Sequence, residues 1–180
     1  VKNRHTEGVN ATPIRVGCDR RHPYLYHMIH ISIIVPKGAV LGSIEGPRQV
    51  FTEVNQMLTR IGREPLFDVQ LTALTKAVPV YEGMYTINAD TLISEMPKTD
   101  LVVIPAMQGD MEKNIRDNEG FIPWIVQQYK NGAEVASLCV GAFLLAATGL
   151  INGKKCATHW MAANDFRRMY PDVNLVEDKI

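Results

Sequence analysis

Two residues of this chain have the types and surroundings for covalent chemistry: Cys139, in AEVASLCVGAFLLAATG, and His159, in GLINGKKCATHW. Cys139 stands where a buried strand ends and an apolar helix begins, with Ser137 two residues before it and Gly141 two after. A nucleophile on so sharp a turn needs small neighbours, because larger side chains would strike the backbone as it doubles back; this is the logic of a nucleophile elbow with cysteine in place of serine. The helix behind Cys139 would aim its amide dipole at the sulfur and favour thiolate. The Val140 amide would then face an anion formed on a substrate, with a second donor from the backbone at Ala106 or Met107. His159 is the only histidine after residue 30, so it is the base available to this half of the fold. A cysteine beside a strand is otherwise a core residue and a histidine before a helix a polar cap. The small-x-Cys-x-Gly pattern at a strand end is what favours chemistry over packing. Cys156 lies in the same loop as His159, and no spacing marks it as a resolving thiol; a small buried residue is expected.

The elements that must position these residues alternate between strand and helix from Met28 onward. Ile29–Val35 reads as a strand apolar on both faces, the parallel, doubly covered kind. Pro47 behind Gly46 predicts a helix start, with Val50, Phe51, Val54, Met57, Leu58 and Ile61 on one face and Gly62 as the stop. Phe67–Leu74 reads as a strand, and Val78–Tyr81 with Met84–Ile87 as a hairpin turning at Glu82-Gly83. A short helix near Thr91–Met96 is expected, then the strand Asp100–Pro105. A helix with Phe121, Ile122, Ile125, Val126 and Tyr129 inward follows, then the strand Ala133–Leu138 that runs into Cys139. A helix over Gly141–Thr148, a loop to His159, a helix from about Trp160 to Tyr170 and a strand Val173–Glu177 complete the pattern. Trp124, Trp160 and the scattered methionines read as packing residues. Repeated β-α-β units imply an α/β fold of the flavodoxin-like type, a mostly parallel sheet with helices on both faces. Ligands bind such sheets beyond the carboxyl ends of the strands, where both Cys139 and the Pro105-Ala106-Met107 turn lie.

The chain has 180 residues, one domain's worth, with 46% hydrophobic content and 19 basic residues against 19 acidic ones. A surface that grips nucleic acid by its phosphates carries a basic excess, so none is expected here. Three cysteines make an odd count without metal-like spacing, which suits a reducing compartment, and no apolar stretch is long enough to span a bilayer. A cytoplasmic location follows as the expectation. Residues 1–27 hold Arg4, Arg15, Arg20, Arg21 and three of the five histidines without a convincing period. They read as a poorly ordered or non-native extension ahead of a natural start at Met28, and His5, His22 and His27 lack the spacing of a metal site. No metal or cofactor is called for.

The stretch SLCVGAFLLAATGLINGKKCATHW, with cysteine and histidine twenty positions apart, resembles the ThiJ/PfpI superfamily, whose fold is class I glutamine amidotransferase-like. Within it the sequence is most similar to the N-terminal domains of AraC-type transcription regulators of the GlxA kind, and isocyanide hydratases share both motifs. EGPRQVF is similar to the family's helix-opening motif and DLVVIPAMQGD to the strand leading into its oxyanion turn. The resemblance covers about residues 29–178. It implies a homodimer whose small-molecule pocket lies over Cys139 and His159, with Val140, Ala106 and Met107 around the anion position.

Departures from the family pattern bear on activity. Free-standing enzymes of the group place an acidic residue where this chain has Ser43, and Glu45, two residues closer to the proline, is the candidate substitute. Ala106-Met107 replaces a double glycine, and Val140 replaces a common threonine. Met161 stands where a glutamine-hydrolysing triad would need glutamate, which disfavours glutaminase activity. The resemblance also implies a closing helix and a DNA-binding helix-turn-helix domain after the last strand, so the chain reads as C-terminally truncated. The leading expectation is the ligand-sensing and dimerisation domain of an AraC-type regulator, with DNA contacted only through that further domain. The alternative is a cysteine-dependent hydrolase or hydratase in which Cys139 attacks, His159 manages protons and Glu45 assists.

Overall fold

The computed structural model describes residues 28–176; the reading of residues 1–27 as an extension, and the final residues of the predicted last strand, lie outside them. A parallel sheet forms the centre. Strand β1 (Ile29–Ile34) runs in the middle, where apolar residues on both faces are buried, and leads into helix α1 (Leu41–Arg60). Strand β2 (Phe67–Ala73) follows, then the antiparallel hairpin β3 (Ala77–Val80) and β4 (Tyr85–Asn88). Next come β5 (Thr91–Leu92), β6 (Leu101–Ile104), α2 (Met111–Asp117), α3 (Phe121–Lys130) and β7 (Glu134–Ser137). Helix α4 (Ala142–Ala147), β8 (Lys155–Cys156), α5 (Ala163–Met169) and β9 (Asn174–Leu175) complete the described chain. The main sheet has the order β5-β2-β1-β6-β7 with every pairing parallel, which is the α/β architecture expected from the alternation.

One face of the sheet packs Ile31, Ile33 and Val103 against Ile44 of α1 and Val78, Val80 and Ile87 of the hairpin. The other face packs Ile34, Val102 and Ile104 against Phe121, Ile125 and Leu144. A third cluster joins Phe143 to Phe166 edge-on at 5.0 Å between ring centroids and fixes α4 to α5. At roughly 25 cal/mol per Å² of apolar surface, these clusters supply the main driving force for the fold.

Several expectations are corrected. Helix α1 begins at Leu41, six residues before Pro47, which therefore lies inside it. The upstream turn forms because Ile44 is buried and the Leu41 N–H donates to the Tyr81 hydroxyl at 3.3 Å. The apolar residues of α1 form a band wider than the sheet can cover: Phe51, Val54 and Leu58 are half-buried, while Val50, Met57 and Ile61 stay exposed. Thr91–Met96 is not a helix; Thr91 and Leu92 pair with Thr72 and Ala73 at the sheet edge, and turns follow. In α3 the inward position is Gln128, not Tyr129, because the i, i+4, i+7 series from Phe121 ends there, and its Oε1 accepts the Thr99 N–H at 3.1 Å. Helix α2 was not anticipated, although Asp110 caps it by accepting the Lys113 N–H at 2.7 Å. The predicted loop before His159 contains β8, which pairs in parallel with β9 in a separate two-strand ladder. Trp124 packs against the sheet, whereas Trp160, Met57, Met84 and Met161 are exposed and are not packing residues.

Candidate active or ligand-binding site at the cysteine turn

Strand β7 delivers Cys139 into a single turn of 3-10 helix ahead of α4. Cys139 has φ 54°, in the left-handed region that a side chain enters only at a cost of about 1–3 kcal/mol. The turn is locked from both sides: the Leu138 N–H donates to the Ile104 carbonyl at 2.9 Å and the Gly141 N–H to the Leu138 carbonyl at 2.8 Å. A Cβ on Gly141 would lie 2.6 Å from the carbonyl oxygens of both Ile104 and Pro105, so no larger residue fits against β6. The demand for a small residue two positions after the cysteine is therefore met by the neighbouring strand's backbone. Cys139 itself is exposed, a strained and accessible thiol at the carboxyl end of the sheet. Val140 turns its side chain toward the Phe143–Phe166 cluster.

The neighbouring turn after β6 carries the expected anion donors, and the geometry separates them. The Ala106 N–H donates to Ser43 Oγ at 2.7 Å, so the serine at the family's acidic position already occupies that amide. The Ala106 carbonyl accepts the Val40 N–H at 2.9 Å and the Gly38 carbonyl accepts the Gln108 N–H at 2.8 Å, which pins this turn to the loop after β1. Met107, paired with Ala39 in that bridge, is buried.

His159 comes to the same region through its neighbour. The Thr158 hydroxyl donates to the Cys139 carbonyl at 3.3 Å, a clamp that the sequence reading missed although Thr158 adjoins the histidine. Among the described residues no hydrogen bond joins Cys139 Sγ to His159. Instead His159 Nδ1 accepts the Met161 N–H at 3.3 Å, capping the turn that follows, and its ring stacks on Trp160 at 5.6 Å. With Nδ1 as acceptor, the neutral ring carries its proton on Nε2, and a base acting through Nδ1 would have to give up the cap. His159 serves here as a cap, one residue from the Thr158 clamp on the Cys139 carbonyl.

Glu45 does not join them. Both of its carboxylate oxygens accept from Arg48, at 2.7 and 3.1 Å on the same face of α1, and the Arg48 hydrogen bonds hold its acid below the usual range. Cys156, in β8, is half-buried; burial pushes its thiol up while its Sγ faces the Ala157 carbonyl at 3.4 Å. Among the described residues no group of three histidine, cysteine or acidic side chains could hold a metal ion, and no helix is long and apolar enough to cross a membrane.

Comparisons with known proteins bear on the family and the fold. The regulator CdhR of Pseudomonas aeruginosa, an HTH-type transcriptional regulator, is 24% identical over 93 residues, 52% of this chain and 27% of that protein. An isonitrile hydratase of Pseudomonas putida is 30% identical over 95 residues, 52% of this chain and 41% of the enzyme. The chain thus matches less than half the length of either relative. In fold alone it is similar to the crystal structure of an AraC family transcriptional regulator from Pseudomonas putida, with a TM-score of 0.62 at 15% identity over 82% of this chain and 76% of that one. The DJ-1/PfpI family model matches residues 32–179, from the first strand through the cysteine turn and beyond, and the chain belongs to the DJ-1/PfpI family.

Proposed function

We propose that this chain is the ligand-sensing and dimerisation domain of an AraC-type transcription regulator, its small-molecule pocket lying over Cys139 and His159. The observation that carries the reading is Ser43. A serine where enzymes of the group place a carboxylate takes up the Ala106 amide, one of the donors an oxyanion would need. Cys139 and His159 without a hydrogen bond between them, and Glu45 committed to Arg48, fit a site that binds more readily than it turns over. The similarity to CdhR and to an AraC family regulator's fold supports the same class. DNA would be contacted by a helix-turn-helix domain outside this chain, which suits its balanced charge, and the cytoplasm is the matching location. The exposed Val50-Met57-Ile61 stripe of α1 is the proposed dimer face, since a second copy would cover it. Sedimentation should show a dimer that Met57→Asp dissociates.

The second reading, a cysteine-dependent hydrolase or hydratase, is favoured by the strained, exposed Cys139 and by the similarity to an isonitrile hydratase. One experiment separates the two. Wild type and Cys139→Ala are incubated with a panel of isocyanides, amides and reactive aldehydes while products are followed by NMR. The sensor reading expects equal background rates for both proteins. Turnover that vanishes in Cys139→Ala would replace it with the enzyme reading.

A further inference from the structure

At the end of the sheet opposite the cysteine turn, a crevice of about 440 Å³ opens beside the first residues of β1 and β2 and the segment leading into β6. His30, Asp68, Gln70 and Thr91 line it from one face of the sheet, with Glu95 and Lys98 from the loop before β6. Asp68 Oδ2 lies 3.0 Å from both His30 Nδ1 and Gln70 Nε2, and the Asp100 carboxylate accepts the His30 N–H at 2.9 Å. Asp68 Oδ1, Glu95 Oε1 and the Lys98 ammonium keep no hydrogen-bond partner among the described residues. One rung further in stand two hydroxyls. Ser32 pairs with Gln70 and Thr72 with Thr91, so both side chains continue the face that lines the crevice. Ser32 Oγ and Thr72 Oγ1 are fully buried and have no hydrogen-bond partner among the described residues. A buried hydroxyl left unpaired is costly, so two of them on neighbouring strands mark a place for polar atoms from outside the chain.

We propose that this crevice binds a small neutral polyol, its inner hydroxyls paired with Ser32 and Thr72 and its outer ones with Asp68, Glu95 and Lys98. A hydroxyl both donates and accepts, which suits a lining that mixes carboxylate oxygens, an ammonium and buried hydroxyls. An anion would meet three carboxylates, those of Asp68, Glu95 and Asp100. A simple cation would offer nothing to the Lys98 ammonium or to the protons of the inner hydroxyls. The volume lies within the range of roughly 300–1,000 Å³ usual for small-molecule sites and suits a chain or ring of about four to six carbons. The site is independent of the sensor reading, because it lies at the other end of the sheet from Cys139 and His159.

The test uses the isotopically labelled 180-residue chain, titrated with xylitol and separately with 1,5-pentanediol and xylonate. The diol keeps the length and loses the middle hydroxyls, while xylonate keeps most hydroxyls and adds a negative charge. Xylitol is expected to move the amide signals of His30, Ser32, Gln70 and Thr72 saturably, with diol and acid weaker by about tenfold or more. Thr72→Val, which keeps the shape and removes the hydroxyl, should weaken xylitol about tenfold while the spectrum stays dispersed. Glu95→Leu, at an exposed position of the lining, should weaken it by about threefold. Equal binding of xylitol and the diol, or of xylitol and xylonate, overturns the proposal, as does unchanged xylitol affinity in Thr72→Val. Shifts that grow linearly without saturating, or none in the folded protein, overturn it as well. Shifts confined to Cys139 and His159 overturn it and leave the sensor reading standing.

Discussion

The cysteine turn and the histidine loop are joined by the hydrogen bond from Thr158 to the Cys139 carbonyl but are built in opposite ways. Cys139 is held by backbone: two short hydrogen bonds, the carbonyls of Ile104 and Pro105 pressed against Gly141, and a left-handed residue that can relax nowhere. His159 is held by side chains at longer distance, the Thr158 clamp and its own cap both at 3.3 Å, with Trp160 beside it 74% exposed. The ladder before it is only two residues long on each strand. The cysteine turn is therefore fixed by backbone contacts, and the loop beside it by fewer and longer side-chain bonds.

That contrast can be broken first at Gly141. Gly141→Ala puts a methyl group into backbone that has no room to move, and should destabilise the protein by roughly 3 kcal/mol or leave it unfolded. Urea denaturation with an unchanged slope would measure it; a loss within a few tenths would mean that the turn is far softer than described. Next, Ser43→Ala removes the acceptor of the Ala106 N–H and should lose about 1–3 kcal/mol. A much smaller loss would show that water replaces the serine and that this donor is accessible after all. Thr158→Val should change global stability by at most about 1 kcal/mol, yet broaden or shift the His159 ring resonances, because it releases the loop and spares the turn.

The smallest effect is on pH dependence. Burial raises the Cys156 thiol above its unfolded value, so the folded state holds that proton more tightly. The resulting stabilisation is complete below the unfolded value and is lost as pH rises through the folded one. Cys156→Ala should flatten the alkaline limb of the stability profile and leave the neutral and acidic range unchanged.

What could be read from the sequence follows the same division. The turn at Cys139 was legible because its requirements are local: small residues at fixed offsets, a strand before and a helix after. The hairpin was legible for the same reason, with positive φ at Tyr81, Glu82 and Gly83. Ser43's bond to Ala106 joins residues 63 apart, and β8 meets β9 through two residues each, so neither leaves a periodic trace. Thr91–Met96 misled because Ile93 and Met96 share a helical spacing, while the sheet edge claimed Thr91 and Leu92 instead. The exposed half of the α1 stripe could not be told from its buried half, since periodicity marks a face without saying what covers it.

The left-handed backbone at residue 139 has a consequence of its own. Glycine would adopt that conformation freely, and asparagine nearly so, whereas cysteine opposes it with its own Cβ. As far as folding is concerned, the side chain at this point is a handicap. Cys139 carries a local cost of about 1–3 kcal/mol there that a glycine would not, and the side chain that imposes it is exposed.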